Sequence, residues 1–398
     1  MTHPAPDLSR NDLVSRLYFD NAATSYPKPP AVWEAVEHYQ RHLGTAVGRG
    51  GYETSQRVGQ IVQRARYRLA DLFRAESSDR IVFGFNGTDV LNQALHGLLR
   101  AGDRVVTTQL EHNSVIRPLH DLQHRLGLEV TRVPANAQGG LDIDAFREAL
   151  ACRPRLVALL HASNVSGAIL PLADLATLAR ETGALVLVDA AQTAGHVPID
   201  LGTLPIDLLA CSGHKGLLGP LGTGVLYLRP GIEEQLRACR QGGTGSTSET
   251  EEQPSTLPDK FEAGNHNAPG LCGLDAGVGW VLERSPQSLH QHERELTAQL
   301  IAGLRDLPGV TLYGPLADED RVGVLSLTLS GWEPQELATT LDQSFGIEVR
   351  AGLHCAPGAH RALGTLPGGG TVRLSVGAFT TPTDVEAVIA AIGQIAGA

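Results

Sequence analysis

The stretch ALVLVDAAQTAGHVPIDLGTLPIDLLACSGHKG, residues 184–216, decides the fold. It holds two apolar runs, Leu185–Val188 and Leu208–Cys211, with no polar alternation. Strands of that kind are buried on both faces, as in a mostly parallel sheet covered by helices. Each run ends on chemistry: the first on Asp189, the second on Ser212-Gly213-His214-Lys215. Ligands of such sheets bind beyond the carboxyl ends of the strands, so the residues that follow each strand are the functional candidates.

Working outward, the same alternation recurs. Toward the N-terminus, strands are predicted at Ile81–Phe85, Val105–Thr108, Leu128–Val133 and Leu156–His161. Helices are predicted at Val58–Phe73, Val90–Leu99, Ser114–Leu126, Ile143–Leu150 and Leu172–Glu181, where apolar residues recur at helical spacing. Toward the C-terminus, Val225–Leu228 is a further strand and Gly242–Pro258 a polar loop. From about residue 280 the texture changes. A long helix over Val281–Leu307 precedes strands at Val310–Tyr313, Val324–Leu329, Ile347–Arg350 and Val372–Val376, with helices at Pro334–Phe345 and from Pro382. The expected architecture is α/β: residues 1–280 as an N-terminal segment and a large domain on a mostly parallel central sheet with helices on both faces, and residues 281–398 as a smaller C-terminal α+β domain.

The 398 residues are 42% hydrophobic and 19% charged, a globular profile. A net charge of −11 disfavours nucleic acid and anionic membranes as partners. No apolar run reaches the length of a membrane helix, and the opening MTHPAPDLSRND has no signal-peptide character. The five cysteines, Cys152, Cys211, Cys239, Cys272 and Cys355, are scattered and form no CxxC pair. That argues against a disulfide framework or a zinc site, and for a reducing, cytoplasmic compartment. His120 and His124 have a metal-like spacing but no HExxH frame, so they read as a solvated helix face and no metal is expected. Cys152, Cys211, Cys239 and Cys272 mostly sit in apolar or helical contexts, where a buried, inert thiol is expected.

Lysine occurs three times, at Lys28, Lys215 and Lys260. A rare lysine between glycines at a strand end is hard to explain as solubility. Pyridoxal phosphate needs a Schiff-base lysine, a carboxylate facing its ring nitrogen, a phosphate cup and a stacking group. Lys215, Asp189, Gly87 with Thr88, and His112 could supply them, each from the end of a predicted strand. Taken singly, Asn86-Gly87-Thr88-Asp89 reads equally as an ordinary N-cap, and Asp189 as a helix cap. A second constellation lies near the C-terminus. Cys355 sits on Arg350-Ala-Gly-Leu-His-Cys-Ala-Pro, a glycine-rich context better suited to reaction than to packing. Arg373, on a short strand, could clamp a carboxylate.

These segments carry a resemblance: YFDNAATSYPKP from Tyr18, NGTDVLNQAL, LEHNS, HASNVSGAILPL, VDAAQTAGHVPIDL, SGHKGLLGPLGTGVLY, FEAGNHN and RAGLHCA. From about Tyr18 to its end the chain resembles the class V aminotransferase family of fold-type I pyridoxal phosphate enzymes. Within it, the chain is similar to the group II cysteine desulfurases and selenocysteine lyases. The resemblance implies pyridoxal phosphate as cofactor and Lys215 as its Schiff-base partner and proton carrier. It implies Asp189 at the ring nitrogen, Gln192 at the ring oxygen and His112 stacked on the ring. Thr88, Ser212 and His214 would hold the phosphate, Asn164 would touch cofactor or substrate, and Arg373 would bind the substrate carboxylate. Thr244 would reach the phosphate of a partner subunit, which makes the protein a homodimer.

The implied reaction converts L-cysteine to L-alanine and leaves a persulfide on Cys355. The sulfur would pass to an acceptor protein for Fe–S cluster assembly or thio-cofactors, and selenocysteine would be a second substrate. The family's usual Gly-Thr-Pro-Asn is Gly264-Asn265-His266-Asn267 here. That makes His266 a candidate for substrate choice, and leaves a C–S lyase, an epimerase or an aminotransferase acting on another amino acid as the alternative.

Overall fold

The computed structural model describes residues 16–47, 50–136, 138–316 and 321–397. The opening residues read above as free of signal-peptide character lie outside the described part.

Seven strands form one sheet, in the order Ile81–Gly84, Gly224–Leu228, Leu208–Ser212, Leu185–Asp189, Leu156–Leu160, Arg104–Thr108 and Glu129–Val133. Six run in one direction; Gly224–Leu228 runs against both its neighbours. The central strands are buried along their whole length, as their unbroken apolar runs predict. Two hydrophobic clusters cover the two faces. One gathers Leu69, Phe73, Phe146 and Leu175 with Val186 and Val188; the other gathers Leu91, Leu95, Leu119 and Phe261 with Leu187 and Ala210. Alternate residues of a single strand thus feed opposite cores.

A second, antiparallel sheet has the order Arg350–Gly352, Thr371–Ser375, Val324–Leu329 and Val310–Tyr313. Leu296, Leu300, Leu341, Val388 and Ile392 from its helices close a separate core with Leu325, Leu327 and Leu374. Phe19 joins this core from the N-terminus. The strand Leu17–Tyr18 pairs in parallel with Ile347–Glu348, and Asp20 bridges Ser375. The first described residues therefore belong to the C-terminal sheet's surroundings, and they lead from there to the large sheet.

Three features differ from the sequence reading. The helix expected over Val281–Leu307 is two helices, Ala268–Arg284 and Pro286–Leu304. Ser285 breaks them at φ 67°, because Pro286 bars its predecessor from helical geometry; the Ser285 hydroxyl then caps the second helix at Ser288. The strand expected over Ile347–Arg350 is split, one half pairing with Leu17–Tyr18 and the other entering the small sheet. Pro30–His38 and Pro357–Ala362 are helices that the sequence reading did not pick out. Among the described residues, no helix is long and apolar enough to cross a membrane.

Candidate active site

The carboxyl ends of the parallel strands open on a cavity of about 740 Å³, closed on its far side by Arg350, His354 and Arg373 of the C-terminal part. Gly87, Thr88, His112, Asn164, Asp189, Gln192, Ser212, His214 and Lys215 all line it. They come from the ends of five strands, either the last residue or the segment that follows it, so the sheet brings together residues more than a hundred positions apart.

Lys215 is the lysine that faces the cavity. Lys28 is buried and donates to Ser25 Oγ (2.6 Å) and to the His214 carbonyl (2.7 Å). Lys260 donates to the Glu233 carbonyl. Burial, opposed by Asp189 and reinforced by Arg373 and Arg350, lowers the Lys215 amine to about 8. A larger share of it is therefore neutral and nucleophilic near neutrality than for an ordinary lysine. The expected consequence is that cofactor-free protein takes up pyridoxal phosphate faster as pH rises, with a midpoint near 8. Stopped-flow uptake rates test this, and a midpoint near the ordinary lysine value of 10.5 contradicts it.

Asp189 closes its strand with Oδ1 accepting from the Ala191 amide (2.9 Å). Burial raises its carboxyl above the usual range, against the Ala191 amide and the Lys215 charge. Next along the sheet, Glu111 is wholly buried and ties two strand ends: its Oε1 accepts from Thr108 Oγ1 (2.8 Å) and the Leu160 amide (3.0 Å). His112 caps the helix Asn113–Leu126. Its Nδ1 accepts from the Ser114 amide (3.0 Å), so the ring proton sits on Nε2. Burial, with Lys215 and Arg350 adding to it, pushes His112 down to about 4, so the ring is neutral. Thr88 Oγ1 lies 2.7 Å from Ser114 Oγ, which joins the ends of two strands beside that ring. Gln192 donates from Nε2 to the Ala22 carbonyl (3.0 Å).

The residues fit pyridoxal phosphate. The helix Gly87–Leu98 starts at the cavity, and a helix N-terminus suits an anion. A Cβ on Gly87 would lie 2.5 Å from Ser212 Oγ, so glycine keeps that end open. Among the described residues, His214 Nδ1 is buried with no hydrogen-bond partner, and burial lowers this ring to about 4. A buried amine and a buried carboxyl face the same space.

Arg373 is buried, bonds Asp20 Oδ1 through Nη2 (2.6 Å) and the Asn164 carbonyl through Nη1 (3.1 Å), and leaves Nε unpartnered among the described residues. Cys355 is half-buried, and Arg350 Nη2 lies 3.7 Å from its Sγ. Asp20, Ser114, Arg350 and His354 were not singled out by the sequence reading. Asp20 and Ser114 lie within quoted motifs, and Arg350 and His354 flank Cys355.

Three predicted residues do not line the cavity: Cys355 lies next to it through Arg350, and His266 and Thr244 stand elsewhere within the chain. His266 does not line the cavity: its Nε2 lies 3.1 Å from Glu262 Oε2, and Glu262 also accepts from Arg66 (2.7 Å) and the Phe83 amide (2.6 Å). Arg66 and His266 hold that carboxyl at about 2 against its burial. This network ties the loop before the helix Ala268–Arg284 to the first strand of the large sheet. Thr244 is also outside the cavity, its Oγ1 donating to the Ser246 carbonyl. Of the other thiols, Cys211 and Cys272 are buried as expected, whereas Cys239 is exposed and Cys152 half-buried. His120 and His124 stand on an exposed helix face with rings 4.6 Å apart, and no metal-ligating cluster occurs among the described residues.

A family model described as aminotransferase class-V matches residues 17–388. A protein of Methanothermobacter thermautotrophicus described as "Probable cysteine desulfurase" is 34% identical over 389 residues, covering 97% of this chain and 96% of its own. The structure of a cysteine desulfurase from Thermococcus onnurineus superposes with a TM-score of 0.90 at 33% identity, over 96% of this chain and 95% of its own. The cysteine desulfurase CsdA from Escherichia coli matches with a TM-score of 0.85 at 31% identity, over 95% and 94%.

Proposed function

The chain belongs to the class-V aminotransferase family, and from that premise we propose that it is a pyridoxal-phosphate-dependent cysteine desulfurase, which converts L-cysteine to L-alanine. The observation that supports the finer reading is a thiol, Cys355, which does not itself line the cavity but has its Sγ 3.7 Å from Nη2 of Arg350, a lining residue; the cavity holds a buried lysine, a buried aspartate and two arginines.

Lys215 would hold the cofactor through its amine, with Asp189 at the ring nitrogen, Gln192 at the ring oxygen and His112 over the ring face. Gly87, Thr88, Ser212 and His214 would hold the phosphate. Bound there, pyridoxal phosphate supplies an electron sink that labilises the Cα–H bond of an amino acid. The rest falls to the chain's own residues. Arg373, oriented by Asp20, binds the substrate carboxylate, and Asn164 stands beside it. Lys215 takes the proton from Cα and returns it. The Cys355 thiolate, faced by the Arg350 guanidinium, attacks the substrate sulfur. An S–S bond forms as the Cβ–S bond breaks. The electron pair passes to the substrate carbon, which is protonated and leaves as the methyl of alanine. Cys355 keeps the sulfur as a persulfide.

The remaining assignments belong to the same proposal. Selenocysteine is a second substrate, because a C–Se bond needs less help from Cys355. A sulfur-acceptor protein takes the persulfide sulfur, for Fe–S cluster or thio-cofactor assembly. The protein works as a homodimer, in which Thr244, outside the cavity of its own chain, would face that of the partner. Five free cysteines suit the reducing cytoplasm. A core drawn, apart from Phe19, from residues of the C-terminal part supports the division into 1–280 and 281–398.

Cofactor-loaded protein given L-cysteine and a thiol reductant is expected to release alanine and sulfide in equal amounts. Arg373→Lys, which loses the planar fork, is expected to raise KM roughly tenfold or more, with kcat less affected. No alanine from cysteine would overturn the proposal.

A further inference from the structure

Cys355 and the residue before it adopt backbone conformations that L side chains rarely hold: φ is 49° at His354 and 58° at Cys355. Two such residues in succession persist only where the surroundings over-determine them. Part of that grip is plain. Asn164 Nδ2 donates to the His354 carbonyl (2.7 Å), and the Asn113 amide donates to the Cys355 carbonyl (2.7 Å). The rest comes from a line of side chains running inward from the cavity wall. His354 Nε2 lies 3.2 Å from the Arg350 carbonyl, His354 Nδ1 lies 3.3 Å from His360 Nε2, and His360 Nδ1 lies 2.8 Å from Thr365 Oγ1.

The direction of this line is determined by its end. A carbonyl only accepts, so His354 carries its proton on Nε2 and accepts at Nδ1. His360 must then donate from Nε2 and accept at Nδ1, and Thr365 must donate its hydroxyl. The Thr365 hydroxyl also lies 3.4 Å from the His360 carbonyl, so this arrangement follows from the contacts together with both rings being neutral. Burial is the main cause that keeps them so, holding His354 at about 2 and His360 at about 4. His360 itself is fully buried and does not line the cavity.

We propose that His360 is a positioning residue for the sulfur-accepting step: its Nε2–H, oriented by Thr365, holds the His354 ring, which in turn holds the Arg350 carbonyl and the strained turn that aims Cys355. This rests on the reading of Cys355 as the sulfur acceptor. Its physical content is a division of labour, in which substrate binding is left to Arg373, Lys215 and the cofactor, while the reach of the thiol depends on a hydrogen bond made away from the cavity.

The test uses cofactor-loaded protein and three variants. His360→Leu keeps bulk and removes the donor; His360→Gln restores an N–H that can reach His354; Thr365→Val removes the hydroxyl that fixes the His360 tautomer. For His360→Leu, the L-cysteine concentration that half-saturates the cofactor absorbance change should stay within about twofold of wild type. Single-turnover alanine formation should fall roughly 10- to 100-fold, the scale of a small misplacement of a reacting group. Amide hydrogen exchange over residues 353–360 should quicken about tenfold or more. His360→Gln should recover most of the rate and the protection. Should His360→Leu fail to fold, Thr365→Val is expected to shift rate and exchange in the same direction by a smaller factor. Wild-type rate and exchange in the variants would overturn the proposal, as would a loss that His360→Gln does not relieve. If wild-type protein makes no alanine at all, the desulfurase reading fails instead, and the exchange experiment still decides whether His360 holds the turn.

Discussion

Lys215→Ala is expected to lower turnover of L-cysteine by roughly 10⁴-fold or more, because one substitution removes both the covalent attachment and the proton carrier. The fold should survive it. Among the described residues, Lys215 donates no side-chain hydrogen bond that ties two elements together, whereas the neighbouring Lys28 bonds both Ser25 and the His214 carbonyl. Lys28 is the informative rival. Burial lowers its amine to about 7, so basicity alone would make it as good a nucleophile as Lys215. Position decides between them: Lys28 is spent on the turn that carries Lys215 and does not reach the cavity. Borohydride reduction of the loaded protein, followed by peptide mapping, should therefore label Lys215 alone. Label on Lys28 or Lys260 would contradict the assignment of the site.

Cys355→Ser is expected to lower alanine formation from L-cysteine by roughly 10²-fold or more, since a hydroxyl cannot accept sulfur as a persulfide. The change removes one sulfur from a half-buried turn, so melting and cofactor content should stay near wild type. The cofactor absorbance change on adding cysteine should also persist, because Arg373, Asn164 and Lys215 are untouched. Peptide mapping is needed alongside it, since Cys239 is exposed and would report as a second reactive thiol. Unchanged alanine formation in Cys355→Ser would mean that the C–S bond breaks without a thiol acceptor.

The large sheet could be read because its strands carry their own signal. Runs such as Leu156–Leu160 and Leu185–Asp189 are apolar throughout and end abruptly in polar residues, so both the strand and its functional end are local properties. The residues at those ends needed only the rule that parallel strands present their carboxyl ends together. What could not be read depends on distant partners. Nothing local to Asp20 shows that it bonds Arg373, since the N-terminus must first cross to the C-terminal sheet. His360 lies in a short Pro-Gly-Ala-rich segment, and its meaning appears only once His354 and Thr365 are beside it. The break at Ser285 was readable from Pro286 and was lost beneath the longer apolar period on either side. His266 departs from a family motif, and the carboxylate that engages it in this chain sits four residues earlier in the sequence, a pairing that needs the fold to appear.

The most direct test of the central claim is a single turnover of the wild-type, cofactor-loaded protein with L-cysteine and no reductant, measuring alanine and the site of the added sulfur together. Alanine equal to the amount of protein, with one extra sulfur on the peptide that contains Cys355, is the expected result. Alanine formed while Cys355 stays unmodified, or a cofactor absorbance change with no alanine, would contradict it.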